Sequence, residues 1–158
     1  MADGGKAPDE TIEDRRPVPS SVLFMCGMNA IRSPMAEVLS RRYLPKSTYV
    51  ASAGVRSGKR DPFVDTVLAE IGLDLGQRRP HTLDDLEDDY FDLIITLAPE
   101  AHHQALELTR SSAVDVVYWP TADPTTVTGS REQILDAYRE VREHIDNLLK
   151  RRFATGIR

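Results

Sequence analysis

Val22-Leu23-Phe24-Met25 is a short apolar run that stops at the chain's only cysteine, Cys26, and Arg32-Ser33-Pro34 then opens a helical pattern. A run of this kind, without polar alternation, suits a strand buried on both faces. Ser33-Pro34 reads as an N-cap with proline at the first helical position, and Met35, Val38, Leu39 and Tyr43 fall on one helical stripe. The segment commits the chain to a strand-loop-helix unit whose loop is Cys26-x5-Arg32.

That loop carries a specific chemistry. A turn from a strand into a helix N-terminus points backbone N–H groups inward, and the helix dipole adds positive charge at the same place, so the loop can hold a tetrahedral oxyanion. The same field favours the thiolate of Cys26, the form that attacks phosphorus. Arg32 offers a planar fork for two phosphoryl oxygens. Gly27 and Asn29 tolerate left-handed backbone, so the loop can curl around an anion. Met28, Ala30 and Ile31 complete its rim, and the Ser33 hydroxyl can reach the sulfur. A lone cysteine is more often a small buried hydrophobe, and arginine is frequent in this chain. The spacing gains weight from its context: strand before, Ser-Pro after, Asn29 within, and a distant Asp-Pro able to supply a proton.

The chain has 158 residues, enough for one domain, and a net charge of −5 that argues against nucleic acid or an anionic membrane as main partner. No apolar run approaches a membrane span, and one cysteine forms no internal disulfide, so a cytoplasmic setting is the expectation. Residues 1–19 are polar and proline-bearing and read as a flexible tail; residues 20–158 read as a single α/β domain. Thr48 to Ala53 gives strand 2. The loop Gly54 to Arg60 has its glycines too close for a nucleotide-binding loop. Asp61-Pro62 precedes the stripe Phe63, Val67, Leu68 and Ile71, so Asp61 is assigned as a helix cap, with Gly72 as the stop. Thr82 and Asp85 start a single turn. Strand 3 spans Asp92 to Leu97, followed by a helix from Pro99 to about Thr109 whose His102 and His103 are assigned to solvent, as is His144 later; no metal site is expected.

Strand 4 runs from Ala113 to Trp119 and lies nearer an edge. Asp123-Pro124 follows it, at the strand end where open α/β sheets place their sites. The last helix has its own cap, Ser130 with Gln133, and an apolar face of Ile134, Leu135, Tyr138, Val141, Ile145, Leu148 and Leu149. Asp123 is therefore left free for chemistry. Four strands alternating with helices make a three-layer α/β fold, a parallel sheet with helices on both faces.

These residues resemble the low-molecular-weight protein tyrosine phosphatases, together with the arsenate reductases built on the same fold. The likeness rests on Val22 to Cys26, Asn29, Arg32 to Glu37, Ser52-Ala53-Gly54, Leu68 to Asp74, Phe91 to Thr96, and Asp123-Pro124. It implies strand order 2-1-3-4, with Cys26 as nucleophile, Arg32 binding the phosphoryl group, Asp123 as general acid, and Ser52 in support. It implies a phosphomonoester hydrolase that needs no cofactor, acts on a phosphorylated protein or small aryl phosphate, and releases inorganic phosphate. The alternatives are an arsenate reductase using an external thiol and a non-catalytic phosphate- or partner-binding module.

The departures are also specific. The family usually has glycine where Met28 stands and often a second cysteine where Ile31 stands, so Cys26 lacks a neighbouring thiol to shield it from irreversible oxidation. The family's loop-supporting histidine falls on Arg78, with His81 three places on. Aromatic walls common in phosphotyrosine enzymes fall on Val55-Arg56-Ser57-Gly58 and Thr125-Thr126, leaving Phe63, Tyr118 or Trp119 to compensate.

Overall fold

The computed structural model describes residues 17–88, 90–110 and 112–154. Residues 1–16 of the expected tail lie outside the described residues; Val18 packs against the core, and the Pro19 carbonyl accepts from the Thr48 hydroxyl at 2.9 Å. The sheet is built on β1 (Ser21–Cys26), whose Val22, Leu23, Phe24 and Met25 are all fully buried. No exposed face remains along this strand, as expected when helices cover both sides of a parallel sheet. β1 pairs in parallel with β2 (Tyr49–Gly54) on one side and β3 (Leu93–Thr96) on the other. β4 (Asp115–Tyr118) adds the far edge, giving the order β2-β1-β3-β4. The chain leaves β1 toward β2 and later returns to its other side, so the switch point lies beyond the carboxyl end of β1. Cys26 is the last residue of that strand.

Helix α1 (Arg32–Ser40) packs on β1 and β2, and α3 (Pro99–Leu108) on β1, β3 and β4. The long α4 (Arg131–Leu149) packs on α1 and on α2 (Pro62–Ala69), and a π-type turn, Lys150–Ala154, extends it. Among the described residues no helix is long and apolar enough to cross a membrane.

Local signals set several of these boundaries. Asp61 caps α2 by accepting from the Phe63 N–H at 2.9 Å, with Pro62 as the first helical residue. Its other oxygen accepts from the Tyr138 hydroxyl at 2.6 Å. Burial first, and then this carboxylate, push the Tyr138 phenol far above its ordinary value. Gly72 ends the α2 segment at φ +78°, where a side chain would be strained. Thr82 and Asp85 bracket the expected single turn, and Ser130 with Gln133 forms the expected capping box of α4.

Other expectations need correction. Helix α1 starts at Arg32, with Ile31 in the cap position and no side-chain cap, because the Ser33 hydroxyl is engaged with Cys26 and Asn29 instead. It ends at Ser40, whose hydroxyl bonds back to the Glu37 carbonyl at 2.7 Å, so Tyr43 lies beyond the helix. The buried face of α4 includes Arg142, which donates to the Val67 carbonyl at 2.7 Å and to Glu70 at 2.8 Å, while Ile134 and Leu148 are half-buried. Arg139 and Arg142 together hold the Glu70 carboxyl down to about 2. His102 is half-buried: it bonds the Thr96 hydroxyl at 2.9 Å and stacks on Tyr118 at 4.5 Å.

The strand starts are tied by one carboxylate. Asp92, just before β3, accepts from the Ser21 N–H (2.8 Å) and hydroxyl (2.9 Å) and from the Ser20 N–H (3.0 Å) and hydroxyl (3.1 Å) at the start of β1. Burial pushes this carboxyl up, but the four donors outweigh it and leave it below its ordinary value. A depressed folded pKa stabilises the fold fully above the ordinary aspartate range, near about 3.9. That contribution is lost as pH falls through the lower folded value. Asp92→Asn is therefore expected to lower the melting temperature at neutral pH, with the gap to wild type closing as the medium is acidified; thermal melts across that range check this, and a gap independent of pH would refute it.

Candidate active site

The loop from Cys26 to Arg32 closes over the end of β1, and the loop after β2 is fastened to it. The N–H groups of Val55, Arg56 and Gly58 donate to the carbonyls of Cys26, Gly27 and Met28 at 3.1, 2.9 and 2.9 Å. Gly54 makes this approach possible, since a Cβ there would meet the Arg56 carbonyl oxygen at 2.5 Å and the Asn29 nitrogen at 2.6 Å. Asn29 takes the left-handed turn at φ 55°. Gly27, also expected to do so, is not among the positive-φ residues. What its missing side chain spares is the Glu100 carboxylate, which a Cβ would approach to 2.9 Å.

Beneath the loop runs a buried chain of hydrogen bonds whose direction is fixed at both ends. The His81 backbone N–H can only donate, and it donates to Asn29 Oδ1 at 3.0 Å. Asn29 Nδ2 must then face the two serines, donating to Ser33 Oγ at 2.9 Å and Ser52 Oγ at 3.0 Å. Ser52 passes its own proton to Glu37 Oε1 at 2.7 Å. Glu37 is buried and ion-paired with Arg78, with Arg41 3.5 Å away. Ser33 Oγ, having accepted from Asn29, lies 3.0 Å from Cys26 Sγ and 3.4 Å from the Ala53 carbonyl oxygen, the two places its proton can go, and the Ser33 N–H donates to the sulfur at 3.4 Å. Two branches therefore leave the Asn29 amide, one through Ser52 to the Glu37 carboxylate and one through Ser33 to the thiol.

A cavity of about 240 Å³ opens above the sulfur, lined by Cys26, Gly27, Met28, Ala30, Ile31, Arg32, Arg56, Glu100, Asp123 and Thr125. Arg32 donates to the Thr121 carbonyl at 3.0 Å, which ties the loop to the segment that carries Asp123. Asp123 is not left free, as the sequence suggested. It accepts from the Thr125 N–H at 3.0 Å and hydroxyl at 2.7 Å, capping a turn at Pro124–Thr126. Burial pushes its carboxyl up, but the Thr125 bonds and the charge of Arg32 prevail and leave it below the ordinary value.

The geometry thus brings Cys26, Arg32 and Asp123 to one cavity, with Gly27, Met28, Ala30 and Ile31 on its walls and Asn29, Ser33 and Ser52 behind them. Among the lining residues none is aromatic. Phe63 packs on Tyr138 at 5.2 Å under Arg131, and Tyr118 is occupied by His102. The support expected from a histidine is divided. His81 holds Asn29 through its backbone and fixes its ring on the Ser52 carbonyl at 2.6 Å, while Arg78 takes the Glu37 carboxylate. Glu37, Arg56 and Glu100 receive no site role from the sequence; Glu37 enters only as part of the Arg32 to Glu37 likeness, and Arg56 only as a position where aromatic walls are common. His144 is exposed, as expected, with a ring nitrogen 3.1 Å from the Pro120 carbonyl.

A thiol at the switch point of a parallel sheet, under a loop that ends in arginine at a helix start, defines a class of cysteine-dependent oxyanion enzymes. The sequence model described as "Low molecular weight phosphotyrosine protein phosphatase" matches residues 21–155, and the chain belongs to that family. It is an enzyme of the superfamily that holds both phosphatases and arsenate reductases. An arsenate reductase of Halalkalibacterium halodurans is 30% identical over 135 residues, 85% of this chain and 96% of that protein. The arsenate reductase structure from Archaeoglobus fulgidus shares 32% identity at TM-score 0.58, covering 81% of this chain and 98% of that one. The tyrosine phosphatase Wzb from Escherichia coli K30, in complex with sulphate, has a TM-score of 0.68 at 22% identity, covering 84% and 95%.

The charge on Glu37 can be tested through the sulfur. Arg78→Met is expected to slow alkylation of Cys26 by neutral iodoacetamide several-fold at neutral pH, and Arg78→Lys to restore most of the rate. Equal alkylation rates in the three proteins would mean that the polarity of the chain is set elsewhere.

Proposed function

We propose that the chain is a cysteine-dependent phosphomonoester hydrolase acting on aryl phosphates, the phosphotyrosyl side chain of proteins included. The observation that supports this most directly is the carboxylate of Asp123 on the wall of the cavity that holds Cys26 and Arg32. The Cys26 thiolate attacks phosphorus, forming the S–P bond as the P–O bond to the leaving group breaks, and Asp123 gives its proton to the departing oxygen. Asp123 then takes a proton from water as the water oxygen attacks phosphorus. The S–P bond breaks, and thiolate and inorganic phosphate are released. Loop amides and Arg32 hold the equatorial oxygens of a loose transition state. The resting Asp123 is biased toward the carboxylate, and a phosphoryl dianion in the cavity raises a neighbouring carboxyl, so substrate binding drives uptake from solvent of the proton that Asp123 then donates. A cytoplasmic setting belongs to the same proposal, supported by a mechanism that needs its one thiol reduced.

The 30% identity to an arsenate reductase favours a second reading on the same residues. The Cys26 thiolate would form an S–As bond as one As–O bond breaks and that oxygen leaves as water. An external thiol would then attack the sulfur, the S–As bond breaking with its electron pair going to arsenic, which releases arsenite and leaves a mixed disulfide. A second external thiol would restore Cys26, so the two electrons come from two thiols outside the chain.

A paired assay of aryl phosphate hydrolysis and thiol-dependent arsenate reduction separates the two. Hydrolysis is expected to dominate and to vanish in Cys26→Ser. Asp123→Ala is expected to slow poor leaving groups by about 10²–10⁴ and good ones far less. Arsenate turnover without hydrolysis would reverse the assignment. Thr125→Val removes a bond that favours the Asp123 carboxylate. The alkaline fall in kcat/KM, where the acid loses its proton, should therefore move to higher pH; an unmoved profile would argue against Asp123 as the acid.

A further inference from the structure

The cavity has a rim that the hydrolytic steps do not use. Arg56, in the loop after β2, and Glu100, in the first turn of α3, both line it, and their side chains are ion-paired at 2.8 Å. The backbone of each is fixed. The Arg56 N–H donates to the Gly27 carbonyl at 2.9 Å, and Glu100 sits near the N-terminus of α3, where a carboxylate is favoured. The Glu100 carboxylate lies beside Gly27, where a Cβ would approach it to 2.9 Å and push it aside. The side chains themselves are loosely held, 57% and 46% exposed, and a pair so exposed is worth at most about fivefold in an equilibrium constant. A second guanidinium therefore stands at the mouth of the anion pocket on a partner that is easily exchanged. The same loop carries a further exposed cation, Lys59, while the cavity lining balances Arg32 and Arg56 against Glu100 and Asp123.

We infer that Arg56 is a specificity-determining residue that binds a second anionic group on the substrate, with Glu100 as its resting partner. The substrate class is a phosphomonoester with a carboxylate or second phosphate beside the scissile group. This rests on the hydrolase reading for the first group alone. An arriving dianion repels the Glu100 carboxylate that faces Gly27, which loosens the ion pair, and the substrate's second anion then replaces Glu100 on the guanidinium fork. A substrate with one anionic group loosens the pair but brings nothing to replace Glu100 on Arg56, and so gains nothing from it.

Binding can be measured without turnover by titrating phosphonates, followed by 31P NMR. Methylphosphonate and phosphonoacetate differ by one carboxylate and probe a small bis-anion. A pair of peptides bearing phosphonomethylphenylalanine, flanked by glutamates or by glutamines, probes an anion supplied by neighbouring residues. In at least one pair the wild type should bind the carboxylate-rich member about tenfold more tightly; that pair identifies the source. The ratio should fall to about one in Arg56→Ala and rise in Glu100→Gln. No preference in either pair, or a preference that survives Arg56→Ala, would overturn the inference. Cys26-dependent hydrolysis of an aryl phosphate, run alongside, reports separately on the hydrolase reading, since phosphonate binding does not depend on it.

Discussion

Everything at this site depends on the amide of Asn29, a side chain in left-handed backbone that holds the loop from within. Its oxygen accepts from the His81 N–H and its two N–H bonds go to Ser33 and Ser52, so three of its four hydrogen-bonding sites are used while the residue is almost wholly buried. A buried amide left with an unmade bond costs on the order of 1–3 kcal/mol. Such a penalty resists any relaxation of the loop that would move Asn29. The rigidity is local and polar, and it sits on a strand whose apolar neighbours cannot shift without opening voids.

The cup is shared between two loops that meet at the switch point. Cys26 pairs with Gly54 in register at the last step of the β1–β2 ladder. The two chains then stay together for three further main-chain bonds beyond the sheet. Gly54 is the pivot: the backbone of Arg56, Met28 and Asn29 all crowd the space a side chain would fill. This explains why the loop after β2, which has no nucleophile or acid, nevertheless forms part of the cavity wall and carries Arg56 into it.

Features with local causes were legible in the sequence. The Asp61-Pro62 cap, the Ser130 capping box, the Gly72 stop and the buried strand β1 each follow from residues within a few positions of one another. Their competition with the rest of the fold is weak. The order of the strands came from the family likeness, since periodicity alone leaves several arrangements open. What was not legible depends on partners far along the chain. Glu37 looks like a solvated helical carboxylate until Arg78 and Ser52 are brought beneath it. Arg142 interrupts an apolar stripe because the Val67 carbonyl and Glu70 lie opposite. Ser33 was expected to cap α1, but tertiary contact gives its hydroxyl to the sulfur instead. Asp123 was distinguished from Asp61 by the absence of a following helix, yet it too caps a turn. The difference between them is what else each residue meets: Asp61 the Tyr138 hydroxyl, and Asp123 the cavity that Cys26 and Arg32 also line.

The single cysteine bears on which chemistry the chain can finish alone. Phosphate and arsenate are both tetrahedral oxyanions, and a cup of amides with one guanidinium does not separate them by shape. They part at the sulfur adduct. Resolving a phosphoryl-cysteine needs water and a group to accept its proton, and Asp123 already stands in the cavity. Resolving an arsenyl-cysteine needs two electrons, and Ile31 occupies the place beside Arg32 where the family often has a second thiol. An external thiol would have to reach a sulfur whose residue is 2% exposed. Water attacks the phosphorus and not the sulfur, which is the physical reason for placing hydrolysis first on a chain whose relatives include both kinds of enzyme.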